Sequence, residues 1–360
     1  MRDRHDRIDA CTALSTFALS VVLATGVLAT GVLASPAAQQ PGAALPQALD
    51  AYLTNSVKLD AQARTQLLAG APVTKLLDSD ASKEVAVFGA VWVNAPVERY
   101  LAAVDDIERF ESGPSFRVTK KVSSTPRLED FAKLSLTDED VNDLKACRVS
   151  QCQVKLAESA IERMRREIDW TRPDAHDQAN RLARQLAFEY VTEYLKGGND
   201  TLAVYRDAER PTFVAKEFES LIDRLPAVTE SVQSVRRYLL DFPRATLPES
   251  DSFLYWQDAD FGLKPTIRIN HFVMARTPEG AIVASKMLYA THYFWTALEF
   301  RVLVQDSARG NGFWFVTENR SRSDGLTGFV GRVVRGKVRS GAEKGSQTQL
   351  QLTKRTMEGR

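Results

Sequence analysis

Two histidines, His271 and His292, together with Tyr289 and Tyr293, form the most concentrated polar-aromatic group in the chain. Imidazole changes charge near neutrality, which suits it to general base work and to metal binding. Both roles need company: a metal wants a third ligand, and a base wants a carboxylate to orient it. The sequence offers neither clearly, so no metal, no cofactor and no catalytic residue is assigned. Two readings of the pair stay open. One is a hydrolase or isomerase using His271, His292 and Glu299 in a polar-lined cleft. The other is a pair of hydrogen-bonded structural imidazoles on neighbouring strands.

A second group surrounds His271. In the run Pro265–Arg276, Ile267, Ile269, His271 and Val273 alternate with Arg268, Asn270, Phe272 and Met274, as they would on the two faces of a strand. Further on, Leu298, Phe300, Val302 and Val304 alternate with Glu299, Arg301 and Leu303. Arginine, asparagine and glutamate on a face that also carries Phe and Met are the ingredients of an apolar pocket that orients a ligand's polar head. The candidate ligand-binding set is Arg268, Asn270, His271, Phe272, Met274, Tyr289, His292, Glu299 and Arg301. The same residues would serve equally on a solvent-facing sheet surface, with Arg and Glu pairing across strands. No nucleophile elbow, phosphate loop or dinucleotide glycine pattern occurs anywhere in the chain.

These residues need a sheet to place them. Pro265–Arg276, Ala281–Gln305 and Phe313–Glu318 are β-rich runs separated by Thr277-Pro278-Glu279-Gly280 and by Ser307–Gly312, which predicts an antiparallel meander. An earlier strand is expected at Glu84–Val93, with Val85, Val87, Val91 and Val93 on one face and Phe88 and Trp92 on the other, hence covered on both sides. Asn94-Ala95-Pro96 opens a helix whose apolar stripe is Val97, Tyr100, Leu101, Val104 and Ile107, with Asn94 as candidate cap. Residues 157–242 carry four helical patterns, around Ile161, Leu186, Phe218 and Val235. The polar stretch Leu134–Leu144 is expected to be irregular or briefly helical. A closing helix is expected over Leu326–Met357, broken or closely packed at its glycines.

This order resembles the START/Bet v 1-like (SRPBCC) helix-grip superfamily, most closely where Val91-Trp92-Val93-Asn94-Ala95-Pro96-Val97-Glu98-Arg99-Tyr100 is similar to its opening strand and helix entry. The resemblance covers Val85–Leu156 and Ser252–Met357, and residues 157–242 depart from it. It implies an α+β fold in which a curved antiparallel sheet grips the C-terminal helix around an apolar cavity, with a helical insertion between early and late strands. It also implies a lipid or other hydrophobic small molecule as partner.

Arg2, Arg4 and Arg7 ahead of the uncharged run Cys11–Ala34 have the layout of a secretory signal peptide over residues 1–34, with a disordered Pro/Ala/Gln linker at 35–46 and one domain from 47 to 360. An uncleaved anchor is the alternative. Export makes Cys147 and Cys152 a local disulfide, and points to a periplasmic or secreted protein of a bacterial envelope. The 360 residues carry a net charge of +1, yet from Arg320 onward ten basic residues face three acidic ones. That basic segment suits an anionic membrane surface, and no nucleic-acid partner is expected. The expected activity is binding or carrying a lipid-like ligand; a cell-envelope module docking through the helical block is a further alternative.

Overall fold

Every residue of the strand Glu84–Val93 (β2) is buried, and its two faces meet different neighbours. Val91 and Val93 pack with Phe315, Leu350 and Met357, while Phe88 and Trp92 pack with Tyr52, Leu53 and Trp314. The protein is described here by a computed structural model covering residues 44–225, 228–229, 231–260, 264–324, 326 and 328–360, without the side chains of 328–334. The leader expected over residues 1–34 and most of the 35–46 linker lie outside the described residues.

The fold is α+β. Eight strands form one antiparallel sheet: β1 (Val73–Leu76), β2, β3 (Phe116–Lys121), β6 (Ser250–Ala259), β7 (Thr266–Thr277), β8 (Gly280–Ala290), β9 (Phe294–Gln305) and β10 (Phe313–Ser323). Their spatial order is β1-β2-β10-β9-β8-β7-β6-β3. A separate two-residue ladder joins β4 (Val204–Tyr205) to β5 (Thr212–Phe213). The second β-rich run of the sequence is in fact two strands, β8 and β9, turned at Thr291-His292-Tyr293. That turn contains no Gly, Pro or Asn; Tyr293 itself takes the left-handed conformation, with φ at 59°. The preceding turn uses Gly280, φ 140°, where a Cβ would lie 2.2 Å from the Leu303 carbonyl oxygen, so only glycine fits.

Among the described residues ten α-helices accompany the sheet: α1 (Gln47–Asn55), α2 (Ala61–Leu68), α3 (Val97–Asp105), α4 (Ile107–Phe110), α5 (Asp138–Ala146), α6 (Glu158–Glu167), α7 (Ala175–Gly197), α8 (Val214–Ile222), α9 (Ser231–Asp241) and α10 (Gly328–Glu358). The stretch Leu134–Leu144, expected to be irregular or briefly helical, holds most of α5, a helix secured by the Thr137–Asp140 capping box. Helix α3 begins one residue after Pro96 and has no side-chain cap, so Asn94 does not cap it; its backbone N–H instead donates to Glu358 at 3.0 Å. Helix α10 runs unbroken for 31 residues despite its glycines. A Cβ at Gly336, Gly341 or Gly345 would meet nothing within 4 Å, so these glycines neither break the helix nor serve close packing. Close packing occurs at β2 instead, where a Cβ on Gly89 would stand 3.0 Å from Leu350 and 2.8 Å from Thr317.

The two faces of the sheet are covered by different parts of the chain. Helices α3 and α10 lie on one face with Phe272, Met274, Leu303, Phe313 and Phe315. Helices α1, α8 and α9 lie on the other, with Val273, Phe300, Val302 and Val316. There α7 also packs, through Ala187, Val191 and Tyr194, against Trp256, Ile269 and Leu288. The helical insertion therefore occupies the face away from α10. Residues Thr266 to Ala275 of β7 are all buried, so the solvent-facing alternative does not hold for this strand. Cys147 and Cys152 are joined, with an S–S distance of 2.06 Å, around a turn in which Arg148 and Gln151 exchange backbone hydrogen bonds. A disulfide is typical of oxidising compartments. Among the described residues no helix is long and apolar enough to cross a membrane.

Candidate functional site

Strand alternation puts Arg268, Asn270, Phe272 and Met274 of β7 on the α10 face, beside Tyr255 and Gln257 of β6 and Ser285 of β8. On β9, Glu299 and Arg301 share the side of Leu303, which belongs to the same apolar cluster. Glu111, directly after α4, reaches this layer and is buried. Two arginines and two glutamates then interlock. The Arg268 Nε donates to Gln257 Oε1 at 2.7 Å, and its Nη1 donates to Glu299 Oε1 at 3.4 Å. Arg301 Nη2 donates to Glu299 Oε2 at 2.7 Å. Glu111 is held less closely by charge: Arg268 stands 3.7 Å away and Arg301 3.9 Å away. Its hydrogen bonds come from Gln257 Nε2, at 2.7 Å, and from the Tyr255 hydroxyl, at 3.4 Å.

Burial pushes the Glu111 carboxyl above the ordinary glutamate range, and the negative charge of Glu299 adds to this against the pull of both arginines. Tyr100 of α3 closes the layer, its ring 5.0 Å from that of Phe315. Burial pushes its hydroxyl up to about 12, with Arg301, Glu111 and Glu299 as the charges it feels.

Several polar atoms of this layer have no hydrogen-bond partner among the described residues. Among the described residues ten buried side-chain polar atoms make no hydrogen bond, two of which, His176 Nε2 and Arg206 Nε, still face a carboxylate at 3.2 and 3.4 Å; five of the ten are Tyr100 Oη, Asn270 Nδ2, Arg301 Nη1, Asn319 Oδ1 and Ser346 Oγ. All five lie on the same face of the sheet: on α3, on the α10 side of β7, β9 and β10, and on the buried side of α10. Native interiors rarely leave such groups unpaired, because each costs about 1–3 kcal/mol. At the β3 edge a cavity of about 210 Å³ opens beside Glu111, lined also by Glu108, Phe116, Arg117, Thr119 and Lys133. Gln257 bridges the cavity wall to the cluster, since its Nε2 also donates to Thr119 Oγ1 at 3.0 Å.

No family model, no curated protein and no solved structure matches this chain.

The structure divides the candidate ligand set. Arg268, Asn270, Phe272, Met274, Glu299 and Arg301 are together on the α10 face. His271, Tyr289 and His292 are not. His271 points into the helical insertion, its Nδ1 2.9 Å from the Tyr194 hydroxyl and its ring 4.5 Å from that of Phe242. Tyr289 donates to the Lys155 carbonyl at 3.0 Å among Tyr190 and Tyr205. His292 lies in the β8–β9 turn, with Nε2 2.8 Å from Asp140 Oδ1 and Nδ1 3.2 Å from the Gln153 carbonyl. The two histidines thus serve separate hydrogen-bond groups, and the expectation that they meet in one cleft is corrected.

Sequence reasoning missed Glu111, Tyr255, Gln257 and Ser285, and read Tyr100 only as helix core. A glutamine continuing the strand pattern of Leu254-Tyr255-Trp256 was the one available signal. The basic C-terminal segment is also smaller at the surface than its composition suggests. Arg320 and Arg322 are buried against Glu84 at 2.7 and 3.0 Å, leaving Lys337, Lys344, Arg355 and Arg360 exposed.

Proposed function

We propose that this chain binds an amphipathic small molecule between the α10 face of its sheet and helices α3 and α10. The polar end would meet Arg268, Arg301, Glu111 and Glu299, and the apolar part would lie toward Phe272, Met274, Phe313 and Phe315. One observation carries this reading: half of the unpaired buried polar atoms among the described residues line that one layer. A ligand with matching oxygen or nitrogen atoms relieves their cost, and scattered packing defects would not gather on one face.

The helix-grip resemblance belongs to the same proposal, since an antiparallel sheet with a C-terminal helix on one face and an insertion on the other leaves the gripped side to the ligand. The cavity of about 210 Å³ at the β3 edge reaches this cluster at Glu111 and has room for a head group or a small acid. A lipid tail would need more room. The part of α10 from 335 to 345 carries no fully buried side chain, whereas Ser346, Leu350, Thr353 and Met357 anchor the part that follows. Export to an envelope compartment and contact of exposed Lys337, Lys344 and Arg355 with anionic lipid complete the reading.

The probe is 1-anilinonaphthalene-8-sulfonate, an aromatic anion that fluoresces when it leaves water. Saturable binding to the native protein at about one site is expected, weakened at least about tenfold, or 1.4 kcal/mol, in Arg301→Met. Tyr100→Phe, which removes only an unpaired hydroxyl, should fold normally and weaken binding less. Non-saturable fluorescence, or equal affinity in all three proteins, would overturn the proposal.

A further inference from the structure

We propose that the polar end of the occupant is a carboxylate, and that one proton enters with it and settles on Glu111. This rests on the reading of the α10 face as a binding site and deepens it.

The first argument is the balance of donors and acceptors. Where the cluster meets α3, the unpaired atoms are donors: Arg301 Nη1, Asn270 Nδ2 and the Tyr100 hydroxyl. Among the acceptors Asn319 Oδ1 is unpaired, so the open donors outnumber the open amide acceptor, and three of the four carboxylate oxygens are already engaged. Both oxygens of Glu299 receive arginine N–H groups, and Glu111 Oε2 receives Gln257 and Tyr255. A ligand that brings further donors, such as an amine, leaves these groups unmet. One that brings two acceptor oxygens in a plane suits the open edge of a guanidinium.

The second argument is charge. Arg268 and Arg301 balance Glu111 and Glu299, so a carboxylate entering this buried layer would add an uncompensated negative charge. Protonating one resident carboxyl restores neutrality. Geometry chooses Glu111 for this role. Glu299 holds arginine hydrogen bonds at 2.7 and 3.4 Å, but the arginine nitrogens nearest Glu111 are 3.7 and 3.9 Å away. The charged and titratable groups facing Glu111 are Arg268 of β7, Glu299 and Arg301 of β9, Tyr255 of β6 and Tyr100 of α3. At the cavity mouth stand Glu108, Arg117, Lys120 and Lys133. Burial and Glu299 already press Glu111 toward its protonated form, and a bound anion presses in the same direction. The overall event adds one carboxylate and one solvent proton to a neutral cluster, and the complex stays neutral.

The test is calorimetric titration of the full chain with octanoate, with octanol as the uncharged control, in two buffers of different protonation enthalpy. Octanoate should bind at least about tenfold more tightly than octanol. Above neutrality the buffer comparison should report uptake of about one proton per octanoate, and affinity should fall by up to about tenfold per pH unit. In Glu111→Gln the cluster is permanently one positive charge in excess, so octanoate should bind without proton uptake and with little pH dependence. Equal binding of octanol and octanoate, or octanoate binding with no proton uptake in the wild-type protein, would overturn the inference. If the naphthalene sulfonate binds as stated above and octanoate has no preference, only the carboxylate assignment fails. If neither probe binds, the binding reading falls with it.

Discussion

Glu84→Ala should cost this protein about 3–5 kcal/mol of stability, the range expected when one partner is removed from a buried ionic group. Glu84 is fully buried and accepts from Arg320 Nη1 at 2.7 Å and from Arg322 Nη2 at 3.0 Å, so it bridges two guanidinium groups of β10. Each arginine has one further carboxylate. Arg320 donates to Glu318 at 2.6 Å, and Arg322 donates to Glu217 of α8 at 2.7 Å. Tyr52 of α1 donates to Glu318 at 2.8 Å and completes the group. Removing Glu84 leaves two arginines, both largely buried, and two carboxylates that no longer share a centre. The loss also loosens the contact of α1 and α8 with the sheet. Urea unfolding gives the number: a midpoint shift equivalent to less than about 1 kcal/mol would contradict this account of the network.

The second large effect is a loss of stability in acid that traces to His271. Its imidazole is 1% exposed and stands opposite Lys286 in the β7–β8 register. Burial first, and the charge of Lys286 second, lower its pKa from the ordinary 6.5 to about 3. Lys286 is itself pushed well down by burial, with its amine near the Tyr194 hydroxyl, Asn199 Oδ1 and the Leu239 carbonyl. Between pH 6.5 and 3 the unfolded chain binds a proton at His271 that the folded chain refuses, so protons favour unfolding. The stability tied to the neutral ring is complete above about pH 6.5 and declines as pH falls toward 3, at no more than about 1.4 kcal/mol per pH unit. Other groups titrate in this window, so the comparison is with His271→Gln, which keeps an acceptor for Tyr194 and loses the titration. Stability curves of the two proteins should converge by roughly 2–4 kcal/mol between pH 7 and pH 4. Parallel curves would contradict the assignment.

The residues with regular alternation announced their places, and those whose role depends on distant partners did not. β2 was legible because it is apolar on both faces, and β7 because its two faces differ in chemistry. The sequence could not say which element covers which face. Both faces of β7 carry apolar bulk, and nothing local to Phe218 or Leu350 decides that the former joins the apolar cluster of Val273 and the latter that of Phe272. The β8–β9 turn was hidden because His292 and Tyr293 are poor turn residues held by tertiary bonds, His292 to Asp140 above all. Glu111 was invisible as a site residue because its partners Gln257, Arg268 and Arg301 lie in strands far along the chain. Arg320 and Arg322 misled through composition alone: counted as surface charge, they are the internal partners of Glu84. The helical insertion was read correctly as four helices, and only its position on the sheet was open.

The most direct measurement is native mass spectrometry of the full chain, purified without detergent from the compartment it occupies and compared with Arg301→Met prepared identically. The wild-type protein should carry a small-molecule adduct that survives gentle transfer and that is absent or strongly reduced in the variant. An unadorned protein mass for both, unchanged after incubation with millimolar octanoate, would contradict a binding site beneath α10.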